Sequence, residues 1–141
     1  MRRYRYLALT AIAGLLAACG GASVAPSTAA TGGSVDATLT EWTMVLSASS
    51  GNAGEFTFNI ANDGEKTHEF VVVSTDLAHD ALPVIDDVVP EDQLTPVDEV
   101  EDILAGADGE LVVTLEAGNY VILCNLDTHY EKGMHAAFTV N

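Results

Sequence analysis

The chain has 141 residues, 48% of them hydrophobic, with 5 basic residues against 21 acidic ones and a formal net charge of −16. So acidic a balance excludes nucleic-acid binding, which needs clustered Lys and Arg. It also excludes a polybasic hold on anionic lipid, and it leaves a surface kept soluble by repulsion or one that docks on a cationic partner.

Residues 1–18 read as an export signal: Arg2, Arg3 and Arg5 precede an apolar run from Leu7 to Ala18. That run is shorter than the roughly 20 residues a membrane-spanning helix needs. It ends in Leu16-Ala17-Ala18-Cys19, which resembles the lipobox of bacterial lipoproteins. The resemblance implies that Cys19 is lipidated and becomes the mature N-terminus, so that the protein is exported and touches the membrane only through a lipid anchor, on the periplasmic or extracellular face. Apart from Cys19 and Val24, residues 19–33 are Ala, Ser, Thr, Gly and Pro with no apolar period, the composition of a flexible tether. Residues 34–141 are then the single folded domain. Beyond the signal only Lys66 and Lys132 are basic, so 2 cations stand against 21 acids, a net charge of 2 − 21 = −19. With Cys19 lipidated, Cys124 is the one remaining thiol and no intrachain disulfide can form.

Within 34–141 no helical period runs. Val35, Ala37 and Leu39 alternate with polar residues, and Trp42, Met44 and Leu46 resume one residue out of phase, which predicts a bulge or bend near Glu41. Residues 47–54 form a turn-rich loop. Phe56, Phe58 and Ile60 line one face of the next strand, and Asn62-Asp63-Gly64 turns the chain. His68 opens a strand whose Phe70-Val71-Val72-Val73 run is apolar on both faces, hence central. Residues 75–109 carry Pro83, Pro90, Pro96 and many acids. They read as a meandering excursion with one helical turn over 96–104, and its acids as a solvated face. Leu111, Val113 and Leu115 begin the regular pattern again. A tight turn at 116–119 leads to Tyr120, Ile122 and Cys124 on one face, and Met134 opens the last strand with Ala136, Phe138 and Val140. Seven to eight short strands with frequent turns predict an all-β sandwich.

The stretch Cys124-Asn125-Leu126-Asp127-Thr128-His129-Tyr130-Glu131-Lys132-Gly133-Met134 holds a thiol, an imidazole and a thioether within eleven residues. Two His and one Cys in a plane with a distant Met suit copper, and His68 is the candidate for the second His. Taken singly, each has an ordinary role: Cys124 as a small core residue, the histidines as strand-end or loop residues, Met134 as filler. Structural zinc fits less well, since it takes more Cys or His and no Met. No second Cys is present in the loop for a binuclear site, and no His-x-His pair for a multicopper oxidase. His135, next to Met134, should face away from it, and His79 should be a surface residue.

Asn62-Asp63-Gly64-Glu65-Lys66-Thr67-His68-Glu69-Phe70 resembles the first ligand segment of the cupredoxins, the plastocyanin and azurin family. Residues 118–134 resemble their C-terminal ligand loop, with the Cys-x4-His-x4-Met spacing of the auracyanin and rusticyanin type. The resemblance implies a Greek-key β-sandwich binding one type 1 copper ion through His68, Cys124, His129 and a weak axial Met134. It implies one-electron transfer and redox protein partners, cationic ones such as c-type cytochromes fitting the charge. A monomer is expected, and not an enzyme, since four protein ligands leave copper no open position for substrate. Copper storage, scavenging or delivery is the alternative use of the same ligands. The family often has Asn directly after the first His, tying the two ligand loops together. Here Glu69 stands there, and Asn125 is expected to make part of the tie.

Overall fold

The computed structural model describes residues 32–141. The export signal, Cys19 and nearly all of the tether lie outside the described residues. Nine strands make up two sheets. The first is ordered β2-β1-β4-β7, from β1 (Gly33–Thr40), β2 (Thr43–Leu46), β4 (Gly54–Asn62) and β7 (Asp108–Leu115). The second is ordered β3-β9-β8-β5-β6, from β3 (Ser50–Gly51), β5 (His68–Ser74), β6 (Thr95–Ile103), β8 (Gly118–Leu123) and β9 (His135–Val140). The all-β sandwich expected from the alternating pattern is what forms.

Between the sheets, inward residues make one core: Val35, Ala37 and Leu39 from β1; Phe56, Phe58 and Ile60 from β4; Leu111, Val113 and Leu115 from β7; Tyr120, Ile122 and Phe138 opposite them. The aromatic rings interlock, with Phe58 5.3 Å from Phe70 and 5.6 Å from Phe138 between centroids. Such offset and edge contacts add to the burial of apolar area. Cys124 and Met134 belong to this core, at its upper rim.

One expectation is met by its second form and one is corrected. Of the bulge or bend expected near Glu41, the bend is what forms. The chain reverses at Glu41 and Trp42, pairing Thr40 with Thr43, so β1 and β2 are a hairpin. A two-residue turn shifts the phase of the apolar pattern as a bulge does, and the pattern alone does not separate them. In the acidic excursion, the helical turn expected over 96–104 is instead strand β6, antiparallel to β5. It is an edge strand, exposed along almost its whole length, with Val100 and Ile103 its contribution to the core. Pro96, Asp98, Glu99, Glu101 and Asp102 sit where an edge tolerates them and where they discourage pairing with another chain. An edge strand of this kind carries little apolar alternation to read.

β5 is central as expected, flanked by β8 and β6. Its outward residues Val71 and Val73 join Val121 and Leu123 in a second buried cluster, roofed by Leu82 and Val89 of the excursion and by Tyr130. Residues 75–94 thus form a strap over the outer face of the five-stranded sheet, and this is why β5 and β8 are apolar on both sides.

Candidate metal centre

Three strand ends meet at one pole. His68 is the first residue of β5. Cys124 directly follows β8, and Met134 directly precedes β9. The loop between the last two is closed by the Cys124 N–H donating to the Met134 carbonyl at 3.0 Å. Inside it, the Met134 N–H reaches the His129 carbonyl at 3.2 Å and the His129 N–H reaches the Leu126 carbonyl at 2.8 Å. Positive φ at Thr128 (67°) and Gly133 (116°) lets the loop fold back so tightly. His129 is thereby turned onto Cys124.

The Nδ1 atoms of His68 and His129 stand 3.3 Å apart, and the Cys124 Sγ stands 3.8 Å and 3.2 Å from them. Donor atoms bonded to one ion at about 2.0–2.3 Å stand ~3.3–3.8 Å from each other, so the three are spaced to share an ion. His68 and Cys124 are fully buried, while His129 is 8% exposed. Met134 is fully buried, its backbone fixed opposite Cys124. All four expected ligand residues are therefore gathered at one pole, with His68, Cys124 and His129 in mutual contact.

Burial sets the protonation of the donors. Burial pushes the Cys124 thiol up, against the pull of the N–H groups of Glu69 and Leu126. The Glu69 N–H lies 3.4 Å from Sγ. Burial, followed by the charge of His68, lowers the pKa of His129 and keeps its imidazole in the neutral form that ligates. A positive ion between the three donors offsets the desolvation that otherwise opposes the thiolate.

The surrounding residues fix the donors. The His68 Nε2 lies 3.2 Å from a carboxylate oxygen of Glu41. An Nε2–H donated there leaves Nδ1 bare toward Cys124, the tautomer a metal ligand needs. Glu41 in turn accepts from the N–H of Lys66 at 2.8 Å and of Glu65 at 3.1 Å. The Glu65 contact is foremost in holding the Glu41 carboxyl below its ordinary range. A Cβ on Gly64 would lie 2.6 Å from the Glu41 oxygen, so a side chain there would push that carboxylate aside. Sequence reasoning missed Glu41, whose only mark was the phase break beside it. Buried Asn62 shapes the approach to His68: its amide donates to the carbonyls of Lys66 and Ile103, both at 2.8 Å, and its oxygen accepts from the Gly64 N–H.

Asn125 does not use its side chain as expected. Its amide donates to the Val89 carbonyl at 2.9 Å and to Glu91 at 2.7 Å, and its oxygen accepts from the Val89 N–H at 2.7 Å. It binds the strap rather than the first ligand segment. The tie between the ligand segments runs from Glu69, whose backbone N–H faces the Cys124 sulfur. Burial, then Glu91, Glu99 and Glu101, raises the Glu69 carboxyl to about 7.

Solved structures share this architecture. Auracyanin B matches over 86% of this chain and 96% of its own, with a TM-score of 0.57 and 20% identity. Reduced auracyanin from Roseiflexus castenholzii matches over 77% and 95%, at 0.56 and 19%. Auracyanin A, a "blue" copper protein from Chloroflexus aurantiacus, matches over 77% and 98%, at 0.55 and 18%. The chain has the cupredoxin fold. No protein-family model and no curated protein matches it in sequence. In this cupredoxin fold the strap 75–94 and the ligand loop are bonded at several points: Asn125 to Val89 and Glu91, the Thr128 N–H to the Asp87 carbonyl at 2.8 Å, and Tyr130 Oη between the Leu82 N–H and the His79 carbonyl.

Proposed function

We propose that the protein is a type 1 copper electron carrier, exported and held at the cell envelope through lipidated Cys19. Its ligands are His68, Cys124, His129 and, weakly, Met134. The buried His68–Cys124–His129 cluster carries this reading, with donors spaced for one ion and chemically suited to copper. Bound there, copper supplies a one-electron couple between Cu(I) and Cu(II). The chain holds the donors rigid by the Glu41–His68 contact and the Cys124–Met134 closure, so that little rearrangement accompanies a change of charge. Full burial of Cys124 in the core between the sheets excludes water from Sγ. His129, the least buried of the three donors, is the route by which an electron reaches the surface. Copper delivery calls for ligands a partner can reach, and the near-complete burial of all three favours retention.

The copper-loaded protein is expected to show an intense blue band from thiolate-to-Cu(II) charge transfer, and Cys124→Ser to lose it. An oxidised, Cu(II)-loaded protein without colour overturns the proposal.

A further inference from the structure

On the outer face of the five-stranded sheet a second pair of histidines meets. His79 lies in the strap and His135 opens β9, yet their Nδ1 atoms stand 2.7 Å apart and their rings 4.9 Å apart between centroids. Strand alternation turns His135 away from Met134, so this pair lies across the sheet from the copper ligands, beside the cluster of Val71, Val73, Val121 and Leu123. The pair is built from both sides. The Tyr130 ring packs 4.8 Å from that of His135, while its hydroxyl donates to the His79 carbonyl at 2.8 Å. One tyrosine thus positions both histidines. Both are half-buried, open to solvent on one side. Asp80, next in the chain and exposed, is near enough for its charge to act on His135.

We propose that His79 and His135 form a second metal site, taking a divalent transition ion of borderline softness: Cu(II), Ni(II) or Zn(II). Two nitrogens bonded at about 2.0–2.1 Å stand ~2.9 Å apart in adjacent square-planar or octahedral positions and ~3.3 Å apart on a tetrahedral ion, so the two Nδ1 atoms, 2.7 Å apart, separate by a few tenths of an ångström to admit the metal. Imidazole suits all three metals, and water completes the shell. The ion pins the strap to β9. Since the strap also binds the ligand loop, a metal here stiffens the cover of the first site without touching its donors.

The test is calorimetric titration of Zn(II) into the copper-loaded full chain. One equivalent is expected to bind and to raise the melting temperature. His79→Ala and His135→Ala should each weaken that binding by ~10-fold or more, with the blue band unchanged. Cu(II) added in place of Zn(II) should give a second electron-paramagnetic signal with coupling to two nitrogens. If His135→Ala fails to fold, His79→Ala, in a connecting segment, decides alone. The same titration on Cys124→Ser with and without His79→Ala separates this equivalent from zinc held by His68 and His129. Absence of the equivalent, or equal binding in wild type and variants, overturns the proposal: the two imidazoles then only share a hydrogen bond, and zinc binds the acidic surface at large.

Discussion

Glu41 and Glu69 are the two acids whose positions the site most depends on, and they act differently. Glu41 fixes the tautomer of His68. Replacing it with Ala leaves Nε2 without its carboxylate and the N–H groups of Glu65 and Lys66 without their acceptor. Groups that orient a metal-ligating His in this way are worth about 10–100-fold in affinity. Glu41→Ala should therefore weaken copper binding by at least ~10-fold in a competition titration with a chelator of known affinity. Glu69 is raised from its ordinary 4.5 to about 7 by burial and three neighbouring acids. A carboxyl raised on folding favours the folded state while it stays protonated. Its contribution is complete below about 4.5 and is lost as pH rises toward 7. The metal-free Glu69→Gln variant should match wild type in denaturant melts near pH 4.5 and surpass it at pH 8. Equal curves at both pH values would mean that the folded protein solvates Glu69 as well as the unfolded chain does.

The strap and the ligand loop are the elements whose union the sequence hides most. The Tyr130 hydroxyl accepts from the Leu82 N–H at 2.9 Å and donates to the His79 carbonyl at 2.8 Å, in a ring environment that is 5% exposed. Tyr130→Phe keeps the ring and strands both backbone groups. The cost of leaving such groups unpaired is about 1–3 kcal/mol, which predicts a melting temperature several degrees lower. Hydrogen exchange should be faster at Leu82 than at Val72 in the middle of β5. That contrast distinguishes a loosened strap from a weakened sandwich. β6 shows the complementary lesson. Its residues are acidic because it is an edge, and charge there guards against pairing with a second chain rather than marking a ligand.

Over the whole molecule, charge is one-sided. All 21 acids lie in the described residues, against Lys66 and Lys132, and the charges of both lysines act on His129. Lys132 sits 4.1 Å above the Trp42 ring, which meets the His129 ring edge-on at 4.8 Å. The few cations are thus gathered at the copper pole and the rest of the surface is negative. Self-repulsion of this size opposes the compact state and is screened by salt, whose Debye length falls to about 10 Å at 0.1 M. The melting temperature should rise between 10 mM and 200 mM sodium chloride, the opposite of what a protein held by surface ion pairs shows. A fall over that range would mean that the acids are paired by bound cations.

The sequence by itself determined the sandwich and the identity of the gathered residues. Alternation of period two records which face of each strand is buried. His68, Cys124, His129 and Met134 stand at strand ends, which a sandwich brings to one pole. The tertiary structure alone decided what surrounds them. The partner of His68 lies 27 residues away in Glu41, Asn125 reaches 36 residues back to Val89, and His79 meets His135 across 56. Hydrogen bonds that side chains make across such separations leave no period in the chain. They depend on distances of a few ångströms that exist only once both sheets have closed and the strap has been laid across one of them.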